Sequence, residues 1–188
     1  ILPPMNETTA VDASLFCVGT MIRPLIDRGY YVLPPDLTST ILRQEGIDEG
    51  MAWQVAPEKF WKYFGADAVL YVKIEKWDTT YMVVASDVTV AFSYKLVDTH
   101  SGMTLWEDYF RKSDGSKVYI SRDLVSGLVV SAIGAAVTSL TTEYVTLAKQ
   151  ANQEVMFRLY PGVYHPDYPG IEQKIAAWKK QKKAEAAK

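Results

Sequence analysis

Residue types capable of covalent or acid–base chemistry are sparse and scattered along this chain. Asp98-Thr99-His100-Ser101 gathers a carboxylate, an imidazole and a hydroxyl, the ingredients of nucleophilic catalysis. Adjacent residues on one turn cannot stack as nucleophile, base and orienting group, because that chemistry needs side chains converging from separate positions. With Gly102 close behind, the segment reads as a solvated hairpin turn. His165 stands between Tyr164 and Pro166, and the single cysteine, Cys17, sits in an apolar stretch. Two separated histidines and one cysteine give no metal-ligand spacing and no intramolecular disulfide, so neither a metal nor a cofactor is expected. Asp67 follows Gly65-Ala66 ahead of an apolar run, where a helix-to-strand turn explains it. The nucleophile elbow, the phosphate-binding glycine loops and the His-Glu-x-x-His zinc signature are all missing from the sequence.

Two constellations suit contact better than catalysis. Gly127, Ser131, Ala135 and Ser139 recur four apart on one helical face. Small side chains let a second backbone approach closely, so the row fits tight helix packing against a second copy or against this chain's own sheet or first helix. The segment Tyr160-Pro161-Gly162-Val163-Tyr164-His165-Pro166-Asp167-Tyr168-Pro169-Gly170 combines stiff prolines with amphipathic tyrosines. Tyr160, Tyr164 and Tyr168 are its interface candidates, either toward a partner or laid back on the same domain.

The elements that must position these residues follow from hydrophobic period. Ile1-Leu2-Pro3-Pro4 reads as the end of a strand whose start lies upstream. Thr9-Ala10-Val11-Asp12 has the pattern of a helix start. Val11, Leu15, Val18, Ile22, Leu25 and Ile26 then predict one apolar helical face, closed by Gly29 and kinked or shortened at Pro24. A short strand is expected at Tyr30-Tyr31-Val32-Leu33, and helices at Asp36–Gln44 and Pro57–Phe64. Period-two alternation predicts strands over Val69–Trp77 and Val84–Val97, with Met103–Arg111 as a third. Turns are expected at Asp78-Thr79-Thr80 and Asp98-Thr99-His100-Ser101-Gly102, giving an antiparallel meander. Helix is expected from about Ile120 to Leu159, then the Tyr/Pro arm, then a short helix over Ile171–Ala187. The predicted fold is α/β: one mixed sheet, parallel at its N-terminal strands and antiparallel in the three-strand meander, covered by helices. Residues 1–160 form the expected domain and 161–188 an arm ending in a basic helix.

The 188 residues are enough for one domain, and 48% are apolar, so a sizeable core is available without disulfides or metal. Twelve tyrosines, five tryptophans and six phenylalanines argue against disorder. A formal net charge of −2 provides no global basic field, so no nucleic-acid partner is expected. The uncharged stretch Leu124 to Thr142 is too diluted by Ser, Thr and Gly to predict a membrane-spanning helix.

Four segments in order resemble the TolB N-terminal and curli-secretion-lipoprotein group of envelope domains. Leu2-Pro3-Pro4-Met5-Asn6 resembles the end of their first strand, and Gly29-Tyr30-Tyr31-Val32 their second. Gly65-Ala66-Asp67-Ala68-Val69-Leu70 resembles their Gly-Ala-Asp strand entry, and Asp98-Thr99-His100-Ser101-Gly102-Met103-Thr104-Leu105-Trp106 their hairpin. The whole chain is most similar to a proteobacterial lipoprotein family of unassigned function, of the neisserial surface-antigen type. That resemblance implies a lipidated cysteine upstream of Ile1, since Cys17 follows the first strand. It also implies a lipid anchor on the periplasmic side of the outer membrane or at the surface. No catalytic residues carry over. The chain departs from secretion-channel lipoproteins in lacking a convincing pair of barrel-forming amphipathic strands, which speaks against a pore. The expected function is a non-enzymatic accessory lipoprotein, homodimeric, contacting envelope proteins of a transport or secretion assembly. The alternatives are a regulator of a cell-wall synthase and a small-ligand binder or hydrolase with a site at the sheet edge or near His100.

Overall fold

In the computed structural model, residues 1–48, 50–82, 85–116 and 144–168 are described, with residues 176 and 180. The elements are β1 (Met5–Asn6), α1 (Ala13–Asp27), α2 (Pro35–Gln44), a 3-10 turn (Ala52–Gln54) and α3 (Pro57–Phe64). After these come β2 (Ala68–Met82), β3 (Ala85–Asp98), β4 (Thr104–Ser116) and a further helix, α4, over 144–156. The strands lie in the order β1-β2-β3-β4. β1 runs parallel to β2, with Met5 opposite Lys73, and the other pairings are antiparallel. This is the mixed α/β sheet that the alternation in the sequence predicts.

Each face of the sheet has its own cluster. On one, Leu70, Val72, Ile74 and Trp77 of β2 and Val88, Val90, Phe92, Tyr94 and Leu96 of β3 pack under α1 and α4. On the other, Leu2, Val69, Tyr71 and Val97 meet Leu42 of α2, Ala52 and Phe60 of α3. Burying side chains such as Phe92 and Ile74 contributes about 1.5–3 kcal/mol apiece relative to exposure. α2 and α3 form where the sequence indicates, each with proline in its first turn and an acid there to complement the helix dipole.

Three expectations need correction. Tyr30–Leu33 forms no strand, and the parallel partner of β1 is β2. Its aromatic and β-branched residues fit a strand locally, but no edge of the sheet is reached there, and Tyr30 instead faces the C-terminal arm through its hydroxyl. Asp78-Thr79-Thr80 is no turn, since β2 continues to Met82, opposite Ala85. The β-branched threonines suit the extended ladder.

The third concerns α1. It begins at Ala13, the Asp12 side chain caps nothing, and the helix runs through Pro24 to Asp27 instead of ending early. Asn6 organises its approach, accepting from the Thr8 N–H and hydroxyl and donating to the Ala10 carbonyl. Its core face is Ala13, Cys17, Thr20, Met21, Pro24 and Leu25, whereas Val11 and Leu15 are 90% and 71% exposed. Small residues won the buried face because close approach to the sheet and α4 needs little bulk there. α4 ends at residue 156, three short of the expected Leu159. Among the described residues, no helix is long and apolar enough to cross a membrane.

Candidate functional site

The arm after α4 is fixed by its backbone. Leu159 is buried, and its carbonyl accepts from Arg28 Nε at 2.6 Å. The Tyr160 carbonyl accepts from the Tyr30 hydroxyl at 2.8 Å. Gly162 N–H donates to the Arg28 carbonyl at 2.8 Å, and Tyr164 N–H to the Gly29 carbonyl at 3.1 Å. The arm then curls on itself, with His165 N–H bonded to the Gly162 carbonyl and Tyr168 N–H to that of His165. Gly29 makes this possible with φ +82°, a left-handed conformation that a side chain would strain. Burial pushes the Tyr30 hydroxyl up to about 12; nearby Arg28 opposes this and Tyr168 adds to it.

With the backbone held, the side chains point outward. Tyr160 is 58% exposed, Tyr164 73% and Phe157 74%, with Val163 also exposed. Arg28 lies 5.2 Å over the Phe157 ring, and exposed Tyr31 follows Tyr30 in the docking segment. Of the expected interface tyrosines, Tyr160 and Tyr164 are exposed, while Tyr168 is half-buried. Gly127, Ser131, Ala135 and Ser139 lie outside the described residues. Phe157 and Tyr31 give only a weak signal in the sequence, because Phe157 falls in an expected helix and Tyr31 in an expected strand.

The turn at Asp98 behaves as a turn. The Asp98 carboxylate accepts from the backbone N–H groups of His100 and Ser101, both at 2.9 Å. His100 Nε2 lies 3.3 Å from Asp67 Oδ1, and its ring stands 4.3 Å from that of Trp61. The Ser101 hydroxyl accepts from Met103 N–H, while the His100 ring is engaged by Asp67 and Trp61. His165 Nδ1 accepts from Asp167 N–H. Among the described residues, no group of His, Cys, Asp and Glu side chains could hold a metal ion. A recess lined by Pro3, Ser39, Leu42, Arg43, Ile47 and Asp48 has no room for even a water molecule.

Cys17 belongs to a buried polar chain. The Tyr94 hydroxyl donates to Asn152 Oδ1 at 2.6 Å, and Asn152 Nδ2 donates to Thr20 Oγ1 at 2.8 Å. Thr20 in turn donates to the Cys17 carbonyl. Burial pushes the Cys17 thiol pKa well up, which leaves it a core residue with little nucleophilic character.

The description "Putative lipoprotein GNA1162-like" belongs to a family that matches residues 1–163. The putative lipoprotein NMB1124/NMB1162 of Neisseria meningitidis serogroup B is 31% identical over 152 residues, covering 80% of this chain and 70% of that protein. The crystal structure of lipoprotein GNA1162 from Neisseria meningitidis superposes with a TM-score of 0.59 at 31% identity, covering 73% of this chain and 95% of that one. A PelC dodecamer from Paraburkholderia phytofirmans is 14% identical with a TM-score of 0.49, covering 81% of this chain and 83% of its own. Matched over 163 of its 188 residues, and built on the same mixed sheet as its neisserial relative, the chain belongs to the GNA1162-like lipoprotein family, a membership that supports a lipid-anchored protein of the cell envelope.

Proposed function

We propose that this protein is a non-enzymatic accessory lipoprotein that uses its aromatic arm to hold a protein partner within a transport or secretion assembly, on the periplasmic side of the outer membrane. The observation that carries the reading is the pairing of a backbone-anchored arm with outward aromatic side chains at Phe157, Tyr160 and Tyr164. Aromatic rings on a pre-ordered loop lose little freedom on binding and bring large contact areas, which is how interface hot spots are built. A homodimer is part of the same proposal. Exposed Val11, just ahead of α1, and Leu15 on α1 support an apolar contact, and the sequence row Gly127/Ser131/Ala135/Ser139 is the other surface this proposal assigns to the dimer.

The test is photo-crosslinking in intact envelopes from a probe residue at Tyr164, with exposed Lys59 of α3, on the opposite side of the sheet, as the control position. Transport or secretion components crosslinked from Tyr164 and not from Lys59 support the reading. A cell-wall synthase recovered there replaces it with the regulatory role, and no specific product from Tyr164 overturns the arm as the docking surface. Light scattering of the purified protein at micromolar concentration tests the dimer, which a monomeric mass overturns.

A further inference from the structure

We propose that Lys76 and Arg111 form an anion site that takes a phosphoryl group, on the sheet face opposite α1 and α4. Lys76, Ala91 and Arg111 occupy one cross-strand row across β2, β3 and β4. Directly opposed residues in antiparallel strands project to the same side. Their chain neighbours Trp77, Phe92 and Phe110 all pack into the α1/α4 cluster, so the row itself looks the other way. Strand spacing sets the two cationic residues roughly 10 Å apart at the backbone, with only a methyl group between them.

The neighbouring lysines on this face are ion-paired, and the two cations of this row are not. Lys95 pairs with Glu107 at 3.3 Å and Lys73 with Glu7 at 3.0 Å. Glu75 accepts from the Ser93 hydroxyl. In the next row Thr89 and Ser113 bond to each other, with Asp78 exposed alongside. Among the described residues, Lys76 and Arg111 have no ion-pair partner, although both are exposed and free to reach one. Ala91 between them is fully buried, although both its cross-strand partners are exposed. Lys76 and Arg111 are the residues directly opposite Ala91, and aliphatic stems laid over it would bring the charged heads together. Two like charges converging across a small residue cost energy unless an anion bridges them. A guanidinium fork plus a point-charge ammonium suits a tetrahedral oxyanion with several acceptor oxygens. That chemistry is shared by free phosphate and by the headgroup of an anionic phospholipid.

The experiment uses inorganic phosphate, followed by phosphorus NMR line broadening, and sedimentation with vesicles of phosphatidylglycerol in phosphatidylcholine or of phosphatidylcholine alone. Lys76→Gln and Arg111→Gln should each weaken phosphate binding about ten-fold, the scale of one lost charge-assisted contact, and together abolish it. Lys95→Gln should leave it unchanged. Circular dichroism and the unfolding midpoint verify that each variant is folded. Wild-type sedimentation with the anionic vesicles, lost in the double variant, identifies a lipid headgroup as the source. Phosphate binding without vesicle binding identifies a soluble phosphate ester. Failure of the wild type to bind either probe overturns the proposal, as does an equal loss in Lys95→Gln.

Discussion

Gly29 and Gly162 cross so closely that neither has room for a side chain. A Cβ on Gly162 would collide with the Gly29 carbonyl, and one on Gly29 would collide with the backbone of His165. The two glycines thus form the seam along which the arm joins the end of α1, and hydrogen bonds lie on either side of it. Gly162→Ala should lower stability by about 1–3 kcal/mol, the usual cost of forced overpacking. Gly29→Ala should cost more, because the left-handed φ adds backbone strain to the collision. Urea unfolding measures both, and limited proteolysis should cut the variants within 160–168 first. A Gly162→Ala protein with wild-type stability and protection would show that the arm is not docked as described.

Asn152 ties three elements together through side chains alone, linking Tyr94 of β3 and Thr20 of α1 from its place on α4. Asn152→Ala removes a donor and an acceptor and strands the Tyr94 hydroxyl in the core. The expected loss is about 1–3 kcal/mol for the unsatisfied group, with a further contribution from the cavity. Thermal unfolding should therefore shift by several degrees, while Tyr94→Phe, which strands only the Asn152 oxygen, should shift less.

Alkaline titration should reveal the Tyr30 contact. Its hydroxyl ionises at about 12 in the folded protein against the ordinary 10 when unfolded. The stabilisation is fully present below pH 10 and is lost as pH rises toward 12, because the unfolded chain gives up its proton first. Tyr30→Phe should lower stability at neutral pH and flatten the decline over that window. Identical slopes for the two proteins would refute it. Subtracting the variant's curve removes the parallel contributions of Tyr71 and Tyr94, whose pKa values are also raised by burial.

Cys17 should be chemically silent in the native state. It is fully buried, and its thiolate is disfavoured by desolvation. A maleimide at neutral pH should label it only as fast as the protein opens, and completely in denaturant. Rapid labelling of folded protein would place the thiol at the surface.

What the sequence reveals of the fold is uneven for physical reasons. The bounds of α3 match the expectation at both ends, because Pro57 and Gly65 are local signals that need no tertiary partner. The β3–β4 turn is equally legible, since Asp98 binds the two amides that follow it. The face of α1 is not. Periodicity ranks residues by bulk and selects Leu15 and Ile26, whereas the packed interface needs the slender Ala13, Cys17 and Thr20 so that Asn152 can reach across. The arm shows its tyrosines in the sequence but not its anchorage, because the Gly29–Tyr164 contact spans most of the chain. The Lys76–Arg111 row depends on a register set by the bulge between Ile74 and Lys76, which alternation alone does not announce.

The parallel placement of β1 beside β2 also has a mechanical meaning. Leu2 N–H bonds to the Leu70 carbonyl and Glu7 N–H to that of Ile74, so β1 is stitched to β2 along its whole length. A pull applied at Ile1 along the strand axis loads those bonds in shear, all at once. A pull at right angles would unzip them one after another. A tether acting through the N-terminus along that axis would therefore load these bonds together, the geometry in which a strand pair resists tension best.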